Sequence, residues 1–222
     1  MRQIPLAMEL APARSFESYV PGANRAALVH LQQLGPHSAP SYLWGPPGCG
    51  KTHLLAALAR RWQAGGARAG AFSAGTPLPW TFDAGWTLIL LDDCHALDAA
   101  RQQAAFALLV EAGTQGLSWV AAGSLPPVDL PLRDDLRTRL AWGVVFALQP
   151  LPDSEVRAVL RRAADARGIF LSDEVMDYLL TRFSRDLTHL TALLERLDEF
   201  ALAHQRAVTV PLLRRMLAEE GA

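Results

Sequence analysis

The eight residues GPPGCGKT, Gly45 to Thr52, constrain this chain more than any other stretch. They fit the pattern G-x-x-x-x-G-K-[ST] in full. SYLW precedes them as a short strand candidate, and HLLAALARRW follows with apolar residues at helical spacing and Arg60 and Arg61 in its last turn. Strand, glycine loop and helix in that order make a cradle for phosphate. Glycines 45, 48 and 50 let successive N–H groups turn toward phosphate oxygens, and the new helix adds its positive N-terminal end. Lysine usage sharpens the reading: of 21 basic residues Lys51 is the sole lysine, and every other one is arginine. A chain so biased toward arginine keeps lysine where a compact point charge is needed against outer phosphates. Thr52 can offer its hydroxyl to Mg²⁺. The candidate nucleotide-binding residues are therefore Gly45, Pro46, Gly48, Cys49, Gly50, Lys51, Thr52 and His53.

A second strand is expected in WTLILLDD (Trp86 to Asp93), a continuous apolar run ending in two carboxylates, as suits a strand buried on both faces. Asp92 is the candidate to hold Mg²⁺ through water, and Asp93 to orient or activate an attacking water. Beyond it the pattern alternates. ARAGAFSA (67–74), LSWVAAG (117–123) and VVFAL (144–148) read as strands, and Asp98 can cap an intervening helix that Gly113 or Gly116 stops. Such alternation predicts an α/β phosphate-loop domain, a central parallel sheet flanked by helices with its ligand at the carboxyl ends of the strands. From Leu151 the texture changes to four amphipathic helices, with Thr209 before Val210 and Pro211 opening the last. The expected organisation is an N-terminal peptide over 1–10, the nucleotide-binding α/β domain over 11–150 and a helical lid over 151–222.

Composition bounds the function. Half of the 222 residues are hydrophobic, 19% are charged and the net charge is −1, which describes a globular chain with no electrostatic case for wrapping nucleic acid. No apolar run approaches the roughly 18 residues of a membrane helix, and the N-terminus lacks a signal peptide's apolar core. Two cysteines, Cys49 and Cys94, make no disulfide framework, so the expectation is a cytoplasmic protein with reduced thiols. Both fall near the phosphate loop, where a redox switch and simple packing stay open as readings. The imidazoles of His53 and His95, beside the same loop, are expected as packing or surface groups rather than ligands, so His53 counts among the candidates by its place in the loop.

Finer motifs carry a family resemblance. A phosphate loop with a helical lid resembles the AAA+ class of ATPases. SFESYVPGANRAAL (15–28) resembles the initiator-type F-x-x-F-x-x-G-x-N segment that lies by the adenine. SLPP (124–127) resembles the sensor 1 segment, LRTRLAWG (136–143) the box that carries an arginine finger, and FSRDLTHL (183–190) the sensor 2 segment. Together they cover nearly the whole chain in the order found in the bacterial replication initiator DnaA and its relatives. The initiator continues into a DNA-binding helix-turn-helix domain and the helicase loader begins with a long helicase-binding region. This chain ends with its lid and has only about fourteen residues before the first box, so it resembles the short Hda family, regulatory inactivators of DnaA. Hda-family proteins carry an N-terminal hexapeptide, Q-L-x-L-x-L, that docks on the DNA polymerase III sliding clamp. QIPLAM matches it at Gln3, Ile4, Leu6 and Met8, and Pro5 keeps the peptide out of a helix interior.

The resemblance implies roles. Arg139 stands as the finger, reaching ATP held by the initiator, and Arg137 as a solvated neighbour. Arg185 stands as sensor 2. Ser124 fits sensor 1 loosely, since the family often has an acid or amide there, and Leu125 replaces a common arginine. Asp135 stands where initiators place an additional arginine. The implied ligands are ADP or ATP with Mg²⁺. The implied partners are DnaA and the clamp, with DNA reached only through the clamp, no membrane, and a homo-oligomer left open. A rival reading keeps Lys51, Asp92 and Asp93 for the chain's own turnover as a self-sufficient motor or loader; a nucleotide-dependent scaffold is a third.

Overall fold

The computed structural model describes residues 14–183 and 187–220. Five strands form one parallel sheet: β1 (Ser41–Trp44), β2 (Arg68–Phe72), β3 (Trp86–Leu91), β4 (Ser118–Gly123) and β5 (Val144–Ala147), in the spatial order β2-β3-β4-β1-β5. Helices α1 (Arg25–Gln33), α2 (Lys51–Ala64), α3 (Ala99–Thr114) and α4 (Asp134–Leu140) connect and cover them. Each strand stops within two residues of the stretch predicted for it. Their carboxyl ends carry the phosphate loop, the Asp92–Asp93 pair and Ser124.

Strand periodicity divides the core in two. Leu43, Leu88, Leu90, Val120 and Ala122 face Leu28 and Leu31 of α1 and Leu54, Leu58 and Trp62 of α2. Their chain neighbours Tyr42, Ile89, Leu91, Trp119 and Ala121 face Leu108 and Leu109 of α3 and Leu136 and Leu140 of α4. Successive strand side chains point to opposite faces, so a sheet covered by helices on both sides needs apolar residues at every position. Leu88 to Leu91 are all buried. Truncating a residue such as Leu58 to Ala would cost about 2–5 kcal/mol through lost transfer energy and the cavity left behind. At the sheet's edge β5 leaves Val144 and Val145 exposed.

Local signals set the helix ends. The Asp98 carboxylate accepts the backbone N–H of Arg101 at 2.8 Å and caps α3. Of the two candidate stops, Gly113 lies inside α3, while Gly116, in the left-handed region at φ +67°, follows its last turn.

The C-terminal part folds around its own core. Helices α5 (Asp153–Asp165), α6 (Asp173–Arg182), α7 (Leu187–His204) and α8 (Val210–Glu220) bury Leu160, Leu179, Leu194 and Leu213 against one another. Ser172 caps α6 by accepting the Val175 N–H, and Thr209 accepts the Leu212 N–H at the start of α8. The ion pair Arg157–Asp177 ties α5 to α6, and Arg167, just past the end of α5, pairs with Glu195 of α7. Among the described residues no helix is long and apolar enough to cross a membrane.

Candidate functional site

A cleft of about 300 Å³ opens where the loop meets the carboxyl ends of β3 and β4. Gly48, Cys49, Gly50, Lys51, Thr52 and His53 line it from the predicted loop, with Asp93 and Ser124 from the strand ends. Gly45 and Pro46 are not on its wall; their carbonyls accept from the Lys51 ammonium at 2.8 and 3.0 Å. Those bonds hold the buried Lys51 at the base of the loop. Gly50 sits in the left-handed region at φ +94°, and a Cβ there would come within 2.6 Å of the Tyr19 ring. No other residue type fits that position without strain.

The acidic end is equally ordered. Thr52 donates its hydroxyl hydrogen to Asp92 Oδ2 at 2.6 Å, and Asp92 Oδ1 accepts the Asp93 N–H at 2.9 Å. Asp93 is itself left-handed at φ +51°, a conformation a non-glycine residue holds at some cost and one that turns its side chain to the cleft. Among the described residues no cluster of three or more His, Cys, Asp or Glu gathers. A hydroxyl and a carboxylate beside a phosphate cradle are the hard oxygen donors Mg²⁺ takes when it completes its shell with phosphates and water. The residues therefore fit a nucleotide with Mg²⁺: loop N–H groups and Lys51 for phosphates, Thr52 and Asp92 for the metal. A bound Mg²⁺ would neutralise charge on the outer phosphates.

Residues not singled out in the sequence complete the cleft. Tyr19, Val20 and Asn24 line it, and all three fall within the initiator-like segment, where the spacing Phe16, Tyr19, Gly22, Asn24 was the available signal. The buried Asn24 amide pairs with the main chain of Gln149, accepting its N–H and donating to its carbonyl, both at 2.8 Å. It also donates to the Tyr19 hydroxyl at 3.3 Å. Burial pushes the Tyr19 phenol above its ordinary range, partly offset by that amide. This clamp fixes the cleft wall to the strand-to-lid junction, where Leu151 also reaches the cleft. Leu187 joins from the lid, inside the segment 183–190 that resembles sensor 2, whereas nothing in the sequence pattern marked Leu151 for the cleft. Behind Ser124, the buried Tyr42 hydroxyl donates to the Leu125 carbonyl at 3.0 Å and steadies the segment.

His53 lines the cleft edge, with its Nε2 2.8 Å from the Ser15 carbonyl oxygen. Cys49 and Cys94 are both buried, and burial drives the Cys94 thiol far above the usual thiol range. Gln3, Ile4, Leu6, Met8 and Arg185 lie outside the described residues.

Arg139 is not on the cleft. On α4 it donates to the Leu109 carbonyl at 3.2 Å, and its guanidinium carbon lies 5.7 Å from the ring centres of Phe106 and Trp142. Gly113 leaves room for it, since a Cβ there would stand 3.3 Å from Arg139 Nη1. Trp142 beside it is 69% exposed. Arg137 pairs with Asp134 at 2.7 Å, and Arg133 with Asp135 at 2.6 Å.

Comparison with known proteins relates the lid to one family and the whole chain to one fold. Residues 153–217 match the family model described as Hda, lid domain. Domain III of the replication initiation protein DnaA from Thermotoga maritima superposes with a TM-score of 0.72 at 20% identity, over 95% of this chain and 98% of that one. The lid is thus similar to that of the Hda family, and the whole chain shares the fold of DnaA domain III. AMPPCP-bound DnaA from Aquifex aeolicus gives a TM-score of 0.69 at 22% identity, over 96% of this chain and 71% of that one. A RuvB variant from Thermotoga maritima gives 0.65 at 17% identity, over 92% and 71%. The AAA+ fold with an Hda-type lid is thus the architecture expected from the motifs.

Proposed function

We propose that this chain is a nucleotide-binding regulator of replication initiation that acts through its partner's ATP rather than its own. The observation that carries the reading is the separation of two features. The cleft has its own lysine, glycines and Asp93, with Asp92 bonded to its Thr52, while Arg139 lies on another face, held by Leu109, Phe106 and Trp142. An arginine presented away from its own phosphates serves a neighbouring nucleotide, where it stabilises charge developing on the transferred phosphoryl group. The neighbour is the initiator DnaA, the protein to which this chain is related in fold. Water attacks the terminal phosphorus of the initiator's ATP, the bond to the leaving ADP oxygen breaks, and the initiator is left in its ADP form.

Gln3, Ile4, Leu6 and Met8 supply the localisation. Gln3 hydrogen-bonds at the rim of the clamp's pocket, Leu6 and Met8 fill apolar subsites and Ile4 supports them. With Ala7 adding little grip, the affinity is modest. The cytoplasm is where such a partner set is found. The test is initiator ATP hydrolysis in the presence of clamp loaded on DNA. Wild type should accelerate it; Arg139→Ala and Gln3→Ala should not, and intact stimulation by either variant would sink the model.

A second reading has its own support. Thr52–Asp92 and Asp93 equip the chain for its own turnover. It predicts steady-state hydrolysis without initiator, abolished by Lys51→Ala.

A further inference from the structure

We propose that His95 is a contact for the terminal phosphate of a nucleoside triphosphate, and so a residue by which this chain tells a triphosphate from a diphosphate. The inference rests on the nucleotide-binding reading above. His95 lies in the short 3-10 turn Cys94–Ala96 that follows β3 and packs on β4. It lines the cleft together with Lys51, Thr52, Asp93 and Ser124, polar groups of the kind that reading sets against the outer phosphates and Mg²⁺. The left-handed backbone of Asp93 brings two residues of one short segment, Asp93 and His95, onto the same wall.

The ring's orientation follows from one atom. His95 Nδ1 is buried and has no hydrogen-bond partner, the single such side-chain atom among the described residues. A proton on Nδ1 would be a buried donor without an acceptor, whereas a proton on Nε2 leaves only a bare lone pair there and puts the donor on the ring's other nitrogen. Nε2–H is then the ring's donor, and the cleft is where it finds an acceptor. A donor aimed at an anion in a partly enclosed site makes a strong, charge-assisted hydrogen bond. The segment after β4 leaves this role open. Ser124 offers one short hydroxyl, while Leu125 carries no polar side chain, is 41% exposed and has its carbonyl engaged by Tyr42.

The experiment compares ADP with the triphosphate analogue AMPPCP, each with magnesium, by titration calorimetry on the full chain. A glutamine amide nitrogen takes the place of Nε2, and an asparagine amide nitrogen that of Nδ1. His95→Ala and His95→Asn are expected to weaken AMPPCP about tenfold, the scale of one hydrogen bond to a charged group, with ADP unchanged. His95→Gln should restore most of the loss. The inference is overturned if His95→Ala leaves the AMPPCP-to-ADP ratio as in wild type, if it lowers both affinities equally as a folding defect would, or if Asn rescues and Gln does not. If wild type binds neither nucleotide, the nucleotide-binding reading falls as well. If wild type binds both and only the ratio fails to move, that reading stands and His95 loses its role.

Discussion

The Thr52 hydroxyl and the Asp92 carboxylate, 40 residues apart in the chain, meet at 2.6 Å. The bond joins the first turn of α2 to the end of β3 and leaves a hydroxyl and an acid side by side at the edge of the phosphate cradle. Neither group could hold a small, hard cation alone; together with phosphate oxygens they can.

Magnesium should therefore tighten nucleotide binding in wild type, and Asp92→Asn should remove that dependence while leaving metal-free binding near wild type. Lys51→Ala should weaken binding with or without metal, because it removes the charge at the base of the loop. Calorimetry with and without magnesium measures both.

Arg139→Ala should abolish stimulation of initiator ATP hydrolysis, toward the roughly 10³–10⁵-fold that an arginine finger supplies. Arg139→Lys should fail too, since a point charge does not reproduce the planar fork. Both variants should keep nucleotide affinity, because Arg139 does not line the cleft. Stability should fall only slightly, by about 0.5–1 kcal/mol for each stacked contact with Phe106 and Trp142. Trp142→Ala should reduce stimulation by loosening the aromatic pair that aims the guanidinium.

The two thiols should behave differently toward an alkylating reagent. Cys94 is fully enclosed, and burial holds its thiol protonated, so it should react only after unfolding. Cys49 lies on the cleft wall, 3.6 Å from the Lys51 ammonium, and should react slowly in the native protein and be protected by bound nucleotide. Mass spectrometry of partially labelled protein distinguishes them.

His30 should make stability fall in mild acid. Burial beside Phe146 lowers its pKa below the ordinary histidine value of 6.5, while its Nε2 lies 2.8 Å from the Ser41 hydroxyl oxygen. The unfolded chain therefore takes up this proton first as pH drops. The contribution is fully present above the unfolded value and is lost as pH falls from about 6.5 toward the folded one. Urea unfolding of wild type and His30→Gln above and below that window should show a smaller pH dependence in the variant.

Much of this molecule could be read before any coordinate. The loop Gly45–Thr52 is a local signal, because phosphate cradles need glycine backbone and one lysine within a few residues. Strands β1 to β5 and the lid helices announced themselves through apolar periodicity, which depends on how a chain alternates faces rather than on what it meets. Sequence spacing even pointed at Tyr19 and Asn24 through the segment that holds them, although their hydrogen bonds to Cys49 and Gln149 could not be seen there. What needed the folded chain was everything joining residues distant in sequence. Pairing Thr52 with Asp92, seating Arg139 on Leu109 beneath Trp142, bringing Leu187 of the lid to the cleft and burying one edge of His95 all depend on strand order and helix packing. Local sequence governs backbone preference within a few residues, whereas a site is assembled by the hydrophobic packing of whole elements. Side-chain chemistry alone made His95 look like a packing or surface residue; only its place on the cleft wall with Asp93 and Ser124, with a buried and unpaired nitrogen, makes it a candidate ligand.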